Sequence, residues 1–148
     1  YRRTEHELVV SLPARHYATA ADVLAEGLTR LGDPAAIAAV VDVARERGAA
    51  LGAAARRQAG PRPSRRRLLA SLLELLGGAG FEPEVDEVSG SVCLRNCPYH
   101  ALIADHRDLT CGMNLAWADG VAAGIDGRLR PELTANDGYC CVEFKRRP

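Results

Sequence analysis

No cysteine precedes Cys93, and all five then fall in the last third of a 148-residue chain. Cysteines used only as small core residues would be expected to scatter, so this distribution points to a thiol site. Aromatic residues make up only 5% of the chain, with a single tryptophan and two phenylalanines, so its helices are expected to pack closely through alanine and leucine. The formal net charge is zero, so overall charge implies neither a nucleic-acid nor a membrane partner. No apolar run approaches the length of a membrane span, and no secretory signal is visible. The expectation is a cytoplasmic protein whose thiols stay reduced, which favours metal or redox use over a disulfide framework. Five cysteines also fit complete pairing poorly. Residue 1 is Tyr and the one methionine is Met113, so the chain is expected to be a piece of something longer.

What is present is 47% apolar and 26% charged, as in a folded domain. From about residue 14 the apolar spacing is helical, with Tyr17, Ala21, Leu24, Leu28 and Leu31 on one face and Gly32 as a stop. Asp33 and Pro34 fit the N-cap and first turn of a second helix, carried by Ile37, Val40, Val41, Ala44 and Leu51 and ending before Gly60. Ser64 caps a third helix through Leu68, Leu69, Leu72, Leu73 and Leu76, stopped by the glycines from Gly77 to Gly80.

The texture changes at Phe81. Residues 82–88 and 91–95 read as two strands. A short helix is expected over 99–106 and a longer one over 110–125. Residues 128–134 and 139–144 form a hairpin about Asn136-Asp137-Gly138. The predicted fold is α+β, with N-terminal helices packing on a small antiparallel sheet of ββ-αα-ββ order. Three regions follow: 1–13 as a strand end and linker, 14–80 as a helical dimerisation region, and 81–148 as a cysteine-containing α+β region.

On this layout Cys93 and Cys97 flank the end of the second strand, Cys111 opens the long helix, and Cys140 and Cys141 start the last strand. Strand ends and helix starts can converge on one sheet edge. A helix N-terminus would lower the pKa of Cys111 and favour the thiolate that binds metal. Neighbouring strand residues face opposite ways, so one of Cys140 and Cys141 is expected in the site and the other in the core. His100 and His106 could add an imidazole. Buried neutral thiols with no ligand are the competing reading.

Other features carry less. Arg56, Arg57, Arg62, Arg65, Arg66 and Arg67 flank the proline break and read first as a solvated loop and helix start, second as a phosphate contact. Glu82, Glu84, Asp86 and Glu87 read as the wet face of an edge strand. No nucleophile elbow or phosphate-cradling loop is present, which points away from an enzyme. Cys111 activated by its helix start and His100 or His106 is the one enzymatic alternative.

Three segments carry a family likeness: Asn96-Cys97-Pro98-Tyr99-His100-Ala101-Leu102, Leu109-Thr110-Cys111-Gly112-Met113-Asn114 and Gly138-Tyr139-Cys140-Cys141-Val142. They resemble the C-terminal sensor region of bacterial winged-helix (ArsR/DeoR-like) transcriptional regulators similar to the Suf iron–sulfur assembly repressor. Gly80-Phe81-Glu82-Pro83 fits the same pattern, the opening Tyr1-Arg2-Arg3-Thr4-Glu5 resembles the end of a wing running into a linker, which makes 1–13 that wing and linker, and the likeness is one of motifs only outside residues 80–144. It implies an effector-sensing and dimerisation portion of a DNA-binding regulator, with DNA contacted through a winged-helix domain outside this chain and a homodimer as the assembly. It also implies an iron–sulfur cluster or zinc on Cys97, Cys111 and Cys140, with Cys141 as the alternative last ligand, His100 in reserve, and no counterpart for Cys93. The C-terminal half more faintly resembles the 4-vinyl-reductase-type small-molecule-binding domain. That would put an apolar pocket between the helices and the sheet and make the cysteines structural.

Overall fold

The computed structural model describes residues 15–134 and 140–146. The wing and linker expected over 1–13, and the Asn136-Asp137-Gly138 turn, lie outside them. Three helices come first: α1 Tyr17–Leu31, α2 Pro34–Gln58 and α3 Arg65–Gly78. The strands β1 Pro83–Val85 and β2 Val92–Leu94 follow, then α4 His100–Ile125, β3 Leu129–Leu133 and β4 Val142–Arg146.

The helix boundaries follow local chemistry. Gly32 closes α1 in the left-handed conformation, its φ of 61° natural for a residue without Cβ. The Asp33 carboxylate accepts the Ala35 N–H at 2.9 Å, and Pro34 fills the first turn of α2, where its missing N–H is no loss. The Ser64 hydroxyl accepts the Arg67 N–H at 3.3 Å at the head of α3.

The four strands form one antiparallel sheet of order β1-β2-β4-β3, so the two hairpins meet through Val92 opposite Phe144. The fold is α+β, as expected, but two parts of the expectation are corrected. The order after α3 is ββ-α-ββ: the two helices expected over 99–106 and 110–125 are one, bent at His106, whose φ of −130° and ψ of 41° leave the helical region. Nor do the N-terminal helices as a group lie on the sheet. α4 covers it, α1 and α2 pack mainly on α4, and α3 reaches β1. The core between α3, α4 and the sheet is built on Leu72, Leu76, Val92, Leu94, Val121, Val142 and Phe144. Phe81 stacks on Trp117 at 5.5 Å between ring centroids and meets Tyr99 edge-on at 6.3 Å.

The α2–α4 contact is made by absence of side chain. Gly48 and Gly52 face Trp117 and Val121, while Gly120 and Gly124 face Arg45, Ala49 and Ala53. A Cβ at any of the four would run into backbone of the opposite helix. Pairings rise together along both sequences, so the helices run parallel at backbone contact. The buried side of α2 is therefore Ala44, Gly48, Gly52 and Ala55, and Leu51, expected on the apolar face, is exposed. On α1 only Ala25 is buried, and Tyr17, Val23, Leu24 and Leu31 are exposed. The contact of α1 with α4 centres on His106, only 5% exposed, whose Nε2 lies 3.4 Å from Asp22 Oδ1 and whose Nδ1 lies 3.5 Å from Thr29 Oγ1.

Candidate thiol centre

Three pieces of chain bring four cysteines together. The loop after β2 carries Cys97, and it is shaped by the Asn96 side chain donating to the Gly80 carbonyl at 2.7 Å and by the Cys97 carbonyl accepting the His100 N–H that opens α4. α4 carries Cys111. The chain entering β4 carries Cys140 and Cys141, anchored where the Cys140 N–H donates to the Leu94 carbonyl at 2.8 Å and the Cys141 carbonyl accepts the Thr134 N–H at 2.7 Å. The sulfurs meet in pairs. Cys111 Sγ lies 2.6 Å from Cys141 Sγ, and the Cys140 thiol donates to Cys97. Cys97 feels the charge of Cys111 and Cys141, and Cys111 that of Cys140, so the two pairs lie near each other.

Two expectations are corrected here. Cys111 does not open a helix: it lies about one turn past the His106 kink of α4. Instead, burial and the hydrogen bond to Cys141 push its pKa up to about 12. Cys140 and Cys141 are not divided between site and core, because both precede β4 in irregular backbone where strand alternation does not operate. Both reach the group, each with its own partner.

The remaining predicted residues separate cleanly. His100 is exposed at the start of α4 and belongs to no metal-holding group of three among the described residues. His106 is buried but turned toward α1. Cys93 stands on β2 opposite Glu84, its pKa raised by burial and by the nearby Glu143 carboxylate, away from the other four. Glu84 is paired with Arg95, and Asp86 accepts the Val88 and Ser89 N–H groups in a turn that holds its pKa down, so the acidic stretch has structural partners.

Asn114, to which the sequence pattern assigns no role, completes the group. It is 2% exposed, one helical turn beyond Cys111 on the same face, and its Nδ2 donates to Cys140 Sγ at 3.3 Å. Its Oδ1 is buried and finds no hydrogen-bond partner among the described residues. The sequence signal was available: a polar amide three positions after a cysteine, between Met113 and Leu115.

The thiols differ chemically. Cys97 is drawn toward its thiolate because the Cys140 S–H and the Tyr99 N–H donate to it, outweighing burial. Cys140 is held protonated by that same bond and by burial. Soft sulfur donors of this kind suit zinc or an iron–sulfur cluster. Yet the sulfurs are paired off rather than spread about a common centre, and among the described residues no three His, Cys, Asp or Glu side chains form a metal-holding group.

A pH dependence follows. Cys111 and Cys140 are raised above the ordinary 9.0, so their neutral thiols favour the folded state. That contribution is complete below pH 9 and is lost as pH climbs through the folded values, which for Cys111 means toward about 12. Cys97 is shifted the other way, and its contribution is present above 9.0 and fades as pH falls. The thermal midpoint of the reduced, metal-free protein is expected to drop from pH 9 upward, and Cys111→Ala to drop less steeply. Scanning calorimetry across that range measures both.

An open groove of about 410 Å³ lies between α2 and α3, lined by Leu51, Ala55, Ala59, Leu75, Arg67 and Glu74 among others. It is not the pocket between helices and sheet that a small-molecule reading called for. No described helix is long and apolar enough to cross a membrane. The chain matches no family model, no curated protein and no solved structure.

Proposed function

We propose that this chain is the effector-sensing and dimerisation portion of a cytoplasmic DNA-binding transcriptional regulator, and that its four grouped thiols hold an iron–sulfur cluster or zinc. The observation that carries the reading is the convergence of Cys97, Cys111, Cys140 and Cys141 from three separate chain segments. The sequence likeness to winged-helix regulators supplies the DNA-binding partner domain and the homodimer. The exposed Tyr17, Val23, Leu24 and Leu31 of α1 support a further partner for that helix.

The residues present fit a thiolate-held centre in chemistry, and the pairing says what loading would require. When bound, such a centre would supply a positive charge that deprotonates its ligands and draws them to itself. Cys111 and Cys141 would have to part, and Cys140 would have to release its proton. Since Cys111 belongs to α4 and Cys140 and Cys141 lead into β4, loading and loss would shift α4 against the sheet. α1 is tied to α4 at the His106 bend, so the shift would reach the N-terminal helices.

Anaerobic reconstitution followed by iron, sulfide and zinc analysis tests this. Stoichiometric metal that is lost in Cys97→Ser and Cys111→Ser is the expected result. Sub-stoichiometric metal, unchanged by those replacements, would sink it. A second reading, a small-molecule sensor with structural cysteines, would have to use the open α2–α3 groove in place of a pocket against the sheet. It calls for a thermal midpoint indifferent to chelator and raised by an apolar ligand.

A further inference from the structure

We infer that Cys111 and Cys141 form a dithiol that closes to a disulfide under a hydroperoxide, making this pair, and not Cys97 with Cys140, the oxidation site of the domain. The inference deepens the sensing role proposed above by naming an oxidant class and a bond, but its chemistry stands on the geometry of the pair.

The two Sγ atoms lie 2.6 Å apart, well inside ordinary contact between two sulfurs, and both thiols are free. Thirty residues separate them, so closure would tie the middle of α4 to the entry of β4. Access is asymmetric. Cys111 is buried at 7% exposure, whereas Cys141 is only partly covered, so the oxidant meets Cys141 first. The second pair is placed differently: Cys140 is 2% exposed and already engaged by the Asn114 amide as well as by Cys97.

The step balances without a metal. The Cys141 thiolate attacks the peroxide O–O bond, forming a sulfenic acid and releasing hydroxide, or an alkoxide from an organic peroxide. The Cys111 sulfur then attacks the Cys141 sulfur, the S–O bond breaks, and the hydroxyl leaves as water with the Cys111 proton. Two thiols lose two electrons and two protons to one peroxide. The disulfide removes two of the four sulfurs from metal binding, so oxidation and loading exclude each other.

The test uses the full chain, reduced and freed of metal with a chelator, exposed to stoichiometric hydrogen peroxide and then digested with trypsin without reductant. Arg95, Arg107 and Arg128 place the thiols on separable peptides: Cys97 on 96–107, Cys111 on 108–128, and Cys140 with Cys141 on 129–145. The expected product is 108–128 linked to 129–145 with the loss of two hydrogens. The link should survive in Cys140→Ser and disappear in Cys141→Ser. A dominant link from 96–107 to 129–145, or no link while Cys141 overoxidises, would overturn the inference. Metal analysis of the same preparation before oxidation separates the two proposals. A chain that binds no metal yet forms the link defeats only the metal centre, and a chain that binds metal but forms no link defeats only the dithiol.

Discussion

Replacing Gly120 with leucine is expected to destabilise the protein by about 4 kcal/mol or more, a large part of what holds a domain of this size folded. The cause is not ordinary overpacking. A Cβ at Gly120 falls on the Arg45 carbonyl oxygen and comes within 2.7 Å of the Ala49 backbone nitrogen. A crowded side chain can change rotamer, whereas a helix backbone can yield only by moving as a body. Here the move would separate α2 from α4 along their whole contact, because Gly48, Gly52 and Gly124 sit equally close to the opposing backbone. α4 also lies on the sheet and carries Cys111, so the damage would extend to the thiol group. Gly112 is the internal control. It lies on the same helix with nothing within 4 Å of its would-be Cβ, so Gly112→Ala should gain roughly 0.5–1 kcal/mol from helix propensity. Chemical denaturation of both variants checks the pair. A Gly120→Leu protein as stable as the parent would mean that the helices do not meet at backbone distance.

These glycines also mark where sequence reading stops. The caps at Gly32, Asp33 and Ser64 were legible because each is set by a residue and its immediate neighbours. The buried face of α2 was not, because hydrophobic spacing favours Leu51, while a parallel helix at backbone distance selects the glycine and alanine side. The interruption at His106 is legible as the end of the first expected helix, but local pattern does not show that the chain continues through the kink into one α4. The thiol group was half legible. Clustering and strand-end placement brought out Cys97, Cys111 and one of the last two. Strand alternation argues against the second of that pair, but it does not apply to residues lying just before β4. The same placement put Cys111 at a helix start, where its pKa would fall, although the burial that raises it could be seen only in three dimensions.

Asn114→Leu is expected to move stability and metal binding in opposite directions. The Asn114 Oδ1 is buried and without a partner among the described residues, a state that costs about 1–3 kcal/mol of desolvation. Leucine has nearly the same shape, lacks that atom, and would share the site with Ala118, Trp117 and the other apolar residues of α4. Against the gain stands the loss of the Nδ2 donation to Cys140 Sγ, a long bond at 3.3 Å, so the metal-free protein should be more stable by about 1 kcal/mol. Metal binding should weaken for the same reason. After the Val142 N–H, that amide is the group that favours the Cys140 thiolate against the Cys97 bond and the burial that hold it protonated, and outer partners of metal ligands typically govern affinity by ~10–100-fold. A gain in thermal midpoint together with weaker zinc in a competition titration would identify Asn114 as a residue retained for the thiols at the expense of the fold. Lower stability with unchanged zinc affinity would instead make it a packing residue. Asn114→Gln decides whether the donor or the shape matters: it keeps an amide that can reach sulfur, and recovery of zinc affinity there, but not in the leucine variant, would assign the effect to the hydrogen bond.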